Sequence, residues 1–195
     1  MTGKVRIISG NWRGRKLDVP NVPGLRPTGD RLRETLFNWL QGRIAGRRCL
    51  DLFAGTGALG LEAASRGAQS VTLVEINPQL CGALSEIGRH WPDGNRVQVV
   101  NQDVSHFLAQ TPVEQGLQAF DCVFVDPPFD AGLQGLCLRL LQQNEWLNRQ
   151  AWVYVESAAG DNHFELNRWQ IQRDKRIGEV RMLLLEPAAL APLDR

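Results

Sequence analysis

No apolar run in this 195-residue chain approaches the roughly 20 residues that a helix needs to cross a bilayer, which excludes a helical membrane protein. The opening Met-Thr-Gly-Lys-Val-Arg has no signal-peptide hydrophobic segment, so a cytoplasmic protein is expected. Cysteine pairs are missing too: Cys49, Cys81, Cys122 and Cys137 sit in or beside apolar segments with no C-x-x-C spacing. His90, His106 and His163 are scattered, so no metal site is expected and the thiols should be buried and reduced. Repeats, low-complexity tracts and linker-like stretches are absent, and the length suits one domain with its own core.

Net charge is also nearly absent, at +1, but its distribution is uneven. Residues 1–48 hold 11 Lys/Arg against 3 Asp/Glu, a local +8, and the remainder has 11 basic against 18 acidic residues, or −7. Such asymmetry points to a nucleic-acid contact confined to one end.

What is present is organised around Cys49-Leu-Asp-Leu-Phe-Ala-Gly-Thr-Gly-Ala-Leu-Gly-Leu-Glu62. A short apolar strand carrying Asp51 meets a small-residue turn, and a helix follows. Glycine lets backbone approach a ligand closely, and a helix start offers unpaired N–H groups. Gly55-Thr-Gly-Ala-Leu-Gly60 also satisfies the dinucleotide pattern G-x-G-x-x-G, which leaves a nucleotide-dependent oxidoreductase as an alternative. Asp51, four residues ahead of Gly55, either meets a cationic ligand through water or ties down its own turn.

Downstream, periodicity predicts strands over 49–52, 70–75, 96–102, 120–125 and 151–156, with helices over 58–66, 78–90, 104–110 and 133–143. A final hairpin is expected over 169–177 and 180–186, turning at Gly178. Strand–helix alternation implies an α/β fold: a seven-stranded, mostly parallel sheet covered on both faces and closed by an antiparallel C-terminal hairpin. Upstream, a small basic hairpin over 5–19, a proline-punctuated loop over 20–27 and a helix over 31–40 capped by Thr28 or Asp30 are expected. This divides the chain into an RNA-contacting extension over 1–48, packed on a main domain over 49–195.

Parallel strands share one C-terminal edge, and ligands bind there. Glu75 ends the second strand and can accept both hydroxyls of a ribose. Asp103 ends the third and suits an exocyclic amine such as adenine N6. The fourth ends in Asp126-Pro127-Pro128-Phe129: a carboxylate, carbonyls freed of competing N–H groups, and a ring for stacking. That is a receptor for a planar group bearing an amino substituent.

The D-x-F-A-G-x-G turn, Glu75, Asp103 and D-P-P-F together resemble class I S-adenosylmethionine (SAM) methyltransferases, Rossmann-like enzymes acting on exocyclic amines. Arg6-Ile-Ile-Ser-Gly-Asn-Trp-Arg-Gly-Arg-Lys-Leu17 and Gly24-Leu-Arg-Pro-Thr-Gly-Asp-Arg-Leu-Arg-Glu-Thr-Leu-Phe-Asn38 narrow this further. They resemble the bacterial 16S ribosomal RNA guanine-N2 methyltransferase family. The resemblance implies SAM over Asp51, Phe53, Ala54, Gly55, Thr56 and Gly57, with Glu75 on its ribose, Ile76 beside the adenine and Asp103-Val104 on the adenine edge, S-adenosylhomocysteine being the product. Phe129 would stack on the extruded guanine while Asp126 and the Pro127 carbonyl accept its amine hydrogens. Trp12, Arg13, Arg15, Lys16, Arg26, Thr28, Arg31 and Arg33 would contact RNA, with Trp12 either stacking on a base or packing inside the hairpin. The implied partner is 16S rRNA within the small subunit or an assembly intermediate, met by a monomer without metal or membrane. Deleting residues 1–20 is expected to spare cofactor binding. Adenine N6 and cytosine N4 stay open as targets, because D-P-P-F serves any exocyclic amine.

Overall fold

The computed structural model describes residues 4–18, 22, 29–128, 131–161 and 164–188. Its elements run β1 (Lys4–Arg6), β2 (Lys16–Asp18), α1 (Asp30–Trp39), β3 (Arg48–Asp51), α2 (Ala58–Ser65), β4 (Ser70–Glu75) and α3 (Pro78–His90). Then come β5 (Val97–Asn101), α4 (Val104–Leu108), β6 (Phe120–Val125), α5 (Gln134–Gln143), β7 (Leu147–Ala158), β8 (Trp169–Ile177) and β9 (Val180–Pro187). The first two strands pair antiparallel, with Val5 opposite Leu17. The other seven form one sheet in the order β5-β4-β3-β6-β7-β9-β8, parallel from β5 to β7 and antiparallel at β9 and β8. The expected architecture holds.

Element ends differ from expectation by up to four residues, and two of the differences have local reasons. β7 starts at Leu147 rather than 151, because extra residues on β7 let Phe120 pair with Leu147 before Cys122 meets Trp152. Asp30 is the first residue of α1 rather than its cap; the cap position is Gly29, which offers no side-chain acceptor, and Thr28 lies outside the described residues. α3 has the stronger start: the Asn77 side chain accepts from the N–H groups of Gln79 and Leu80, and Pro78 occupies the first turn where no donor is required.

Successive residues of a strand face opposite sides of the sheet, so each central strand feeds two cores. Cys49, Cys122, Phe124, Tyr154 and Met182 pack on one face against α1, α2, α3 and the β1–β2 hairpin. Leu50, Val123, Val125, Val153 and Leu183 pack on the other, against α4 and α5. The helix α1 lays Leu36 and Phe37 onto the first face, with Phe37 6.0 Å from Phe124 between ring centroids. Val5, Ile7, Trp12 and Leu17 join the same cluster, so the N-terminal segment shares the main core.

Strand order places a ligand crevice. The chain lays down β3, runs outward through β4 to β5, then returns to β6 on the opposite side of β3. The reversal between β3 and β6 is the topological switch point, where helix connections diverge and leave the strand ends open. Asp51 and Asp126 lie at or just beyond the ends of those two strands.

Candidate active site

The loop from β3 into α2 is held from within. Asp51 is buried, and its Oδ2 accepts the Gly60 N–H at 2.9 Å, tying the strand end to the helix it precedes. Ala54 N–H donates to Val74 O at 2.9 Å, and Gly57 N–H to Ala54 O at 2.6 Å. Gly57 adopts a left-handed φ of 77°, and a Cβ there would come within 2.6 Å of side-chain atoms of Leu84 and Leu61, so the tight entry requires glycine. Of the two readings of Asp51 the geometry favours the second: the buried carboxylate ties down its own turn and has almost no surface on which to meet a ligand. Phe53 and Gly55 are half-buried on the turn, while Ala54 and Thr56 are buried.

The Glu75 carboxylate bridges two loops, Oε2 accepting from Gly55 N–H and Oε1 from Asn77 N–H, each at 2.8 Å. Each oxygen keeps a lone pair, which suits the vicinal hydroxyls of a ribose. Asn101 at the end of β5 donates its amide to the Glu75 and Ile76 carbonyls at 2.9 and 3.0 Å, fixing the turn after β4. Ile76 is left 65 % exposed, an unusual burden for a large aliphatic side chain and a ready surface for a flat ring. Asp103 is exposed and caps α4, accepting from the His106 N–H and the Ser105 hydroxyl; these bonds hold its carboxyl below the ordinary value. Val104 follows in the first helical turn, where N–H groups lack a helical acceptor.

Across the switch point, Asp126 is half-exposed, Pro127 buried and Pro128 exposed, and the Pro128 carbonyl accepts the Ala131 N–H at 2.9 Å. Phe129 lies outside the described residues. Behind Asp126 stand two groups that no sequence motif marks. Glu156 at the end of β7 is buried, and the Tyr154 hydroxyl donates to its Oε1 at 2.6 Å. Gln134, itself buried, donates to the Glu156 carbonyl at 3.1 Å. Burial pushes the Glu156 carboxyl up to about 8, and the charges of Asp126 and Asp51 add to the rise against the Tyr154 bond. Burial also raises Asp51 to about 7, opposed by its Gly60 bond. Tyr154-Val-Glu156 reads as ordinary strand alternation, so only the inward acid beside D-P-P could have signalled it. Carboxyls on three neighbouring strands thus lie close under the crevice, two of them held toward the protonated form, and a cationic ligand would favour their ionisation.

The N-terminal candidates divide. Arg13, Arg15, Lys16 and Arg31 are exposed, with Arg15 lying over the Trp91 ring at 5.1 Å. Trp12 is buried: its indole donates to Pro92 O at 2.8 Å and packs edge-on against Trp91 at 5.2 Å, so it has no free face for a base. Arg33 is buried as well, donating to Arg6 O at 2.9 Å and Asp30 at 2.5 Å, with Glu62 at 3.8 Å. That corrects its assignment as an RNA contact, and its place near the helix start is explained by acids rather than phosphates. Arg26 and Thr28 lie outside the described residues. A polar cavity of about 670 Å³ lined by Arg48, Gln69, Arg96 and Gln118 lies at the other edge of the sheet, by the strand starts.

A parallel sheet reversing between β3 and β6, closed by an antiparallel β8–β9 hairpin, with a glycine turn and acids on successive strand ends, defines the class I SAM-dependent methyltransferase fold. Within it, the chain belongs to the family described as Conserved hypothetical protein 95, whose model matches residues 5–186. It is 44 % identical over 194 residues to Ribosomal RNA small subunit methyltransferase D of Escherichia coli K12, covering 99 % of this chain and 95 % of that protein. The protein of the same name from Haemophilus influenzae is 43 % identical, covering 91 % of each chain. Among solved structures, the putative methyltransferase yhhF from Escherichia coli superposes with a TM-score of 0.84 at 44 % identity, over 96 % of this chain and all of that one.

Proposed function

We propose that the protein moves a methyl group from SAM to the exocyclic N2 of a guanine in 16S rRNA, within the small subunit or an assembly intermediate, as a cytoplasmic monomer without a metal. The names of the relatives support the RNA substrate, and the observation that carries the chemistry is the pairing of two half-sites across β3 and β6. On one side, Glu75, the exposed Ile76 and Asp103-Val104 suit the ribose and adenine of a nucleoside. On the other, Asp126 and the Pro127 carbonyl would accept from a base that has left its stack.

SAM, when bound, supplies a methyl already activated on a sulfonium, so no other activation is required. The remaining work is done by the chain. Guanine N2 is a poor nucleophile because its lone pair is delocalised into the ring. Acceptors on both amine hydrogens favour the pyramidal nitrogen and aim the pair at the methyl. With SAM bound, the carbon–sulfur electrons would stay with sulfur as the nitrogen–carbon bond forms, and the surplus proton would leave nitrogen toward the Asp126 side. Phe129 would cover the other face of the base. Positioning and preorganised acceptors supply most of the rate.

The test is incubation with tritiated SAM and unmodified 16S rRNA or small subunits, followed by mass-spectrometric mapping of the labelled base. Label on guanine N2 is expected; label on adenine or cytosine alone would refute the guanine assignment. Asp126→Ala should keep SAM affinity while transfer falls by about 100-fold or more.

A further inference from the structure

The basic N-terminal segment does not hold all of the positive surface. Between Arg168 and Arg181 the chain carries five basic against two acidic residues, a net +3 inside a portion of the sequence that is otherwise acidic. These residues build β8 and its turn, at the outer edge of the sheet. Asp174 is held by Arg181 through bonds of 2.7 and 3.2 Å. Arg173, Lys175 and Arg176 are exposed and have no ion-pair partner among the described residues, Arg173 donating only to the Gln172 carbonyl.

Register fixes where these cations sit. Ile177 pairs with Val180, and Val180 pairs with Ala158 at the end of β7, so the β8–β9 turn stands on the same rim as Asp126 and Glu156. Lys175 lies opposite Met182 and Arg173 opposite Leu184, on the face that α1 covers, while Arg176 lies opposite Arg181 on the other face, so the three cations flank the edge on both sides. Three strand spacings separate β8 from β6, about 15 Å, within reach of nucleotides flanking a base held at Asp126. Charge on an edge strand also deters edge-to-edge pairing, but that duty is met equally by acids or mixed signs. The cations here outnumber the acids beside them, Arg181 and Arg176 both acting on Asp174, and an excess of exposed positive charge near the active rim matches a polyanion.

We infer that the outer edge of β8, through Arg173, Lys175 and Arg176, is a second grip on the phosphate backbone of the substrate RNA, separate from the N-terminal hairpin. The inference rests on the RNA methyltransferase reading. Each lost phosphate contact lowers the slope of log affinity against log salt by roughly 0.7 to 0.9. The triple variant Arg173→Gln/Lys175→Gln/Arg176→Gln should therefore lower the slope for unmodified 16S rRNA by about 2 to 3. SAM affinity, measured by calorimetry, should match wild type. Arg149→Gln removes an exposed charge from the far end of β7 and should leave the slope alone.

A slope that stays at the wild-type value, whether or not the triple variant self-associates, overturns the inference and leaves the charges as guards of the edge. A defect seen with assembled subunits but not with naked rRNA also overturns it, in favour of a protein contact. Failure of the underlying reading is distinct: wild-type protein itself would then leave no label in rRNA.

Discussion

Removing Glu62 should cost the protein more than removing any exposed charge. This carboxylate is buried inside α2, where it accepts the Ile8 N–H at 2.7 Å, the Ser9 N–H at 3.0 Å and Arg66 Nε at 2.8 Å, with Arg33 Nη1 at 3.8 Å. In Glu62→Ala the buried Arg33 guanidinium keeps the Arg6 carbonyl and, as its only carboxylate, Asp30, whose side chain is half-exposed, and two backbone amides lose their acceptor. Breaking a buried ion pair on one side costs about 3–5 kcal/mol, and each orphaned amide about 1–3 more. These costs overlap, so a net loss of at least about 4 kcal/mol is expected, a large share of the usual 5–15 kcal/mol of a domain. At roughly 2–4 °C per kcal/mol for a chain of this size, Tm should fall by about 8–16 °C in calorimetry. Replacing both partners, as in Arg33→Met/Glu62→Leu, should recover part of the loss, since no charge is then stranded. Hydrogen exchange at Ile8 and Ser9 should accelerate in the single variant. A Tm change under about 3 °C would refute the claim that this carboxylate anchors the hairpin.

The Glu156 carboxyl titrates higher in the folded protein than its ordinary 4.5, so the folded state binds more protons than the unfolded chain and stability falls as pH rises toward and through about 8. Glu156→Gln lacks that loss: its stability relative to wild type should grow by a few kcal/mol between pH 5 and pH 9, at about 1.4 kcal/mol per pH unit, and a pH-independent difference in urea melts would refute it. Trp12→Ala should cost about 3–5 kcal/mol by emptying a core site, while the salt slope of RNA binding stays put once the protein is kept folded. Glu75→Ala should weaken SAM binding about 10- to 100-fold in calorimetry, before any effect on the methyl-transfer step at saturating cofactor. Deleting residues 1–20 should lower both Tm and SAM affinity, and unchanged affinity in the truncated protein would argue that α2 does not couple the two.

That last expectation reverses the one drawn from sequence, and the reason lies in contacts between distant residues. Charge and motif mark the first residues as an arm, since nothing in the string pairs Gly10 with Ser65. In the fold, Asn11 N–H donates to Ser65 O at 2.8 Å and Trp12 N–H to the Ser65 hydroxyl at 2.9 Å. A Cβ on Gly10 would lie 1.9 Å from Ser65 O, so the hairpin seats directly on the helix behind the cofactor loop. Strand ends were legible because apolar runs stop where polar residues begin, which is why Glu75, Asp103 and Asp126 fall on one rim as expected. Long-range polar pairing was not: whether Asp51 faces a ligand or Gly60, and whether Arg33 faces RNA or Glu62, depends on packing that no local pattern encodes. Glu156 was invisible for the same reason, an acid on a strand whose neighbour, not its own sequence, makes it part of the site.

On the proposed reading, the charges of the molecule sort a methyl donor from an RNA strand. Asp51, Asp126 and Glu156 gather at the ends of three adjacent strands, and burial first and the charge of Asp126 second raise the two that are buried. A sulfonium lowers the energy of that arrangement, whereas a phosphate raises it. Arg13, Arg15, Lys16 and Arg31 stand on the N-terminal side, and Arg173, Lys175 and Arg176 on the far edge of the sheet. A polyanion is therefore drawn to both flanks and repelled from the middle. What enters the middle is the neutral part of a nucleotide, its base, swung out while its backbone stays on the cations. The net charge of +1 is the sum of this segregation, and it conceals the division by which the crevice can admit a guanine and refuse the phosphates that carry it.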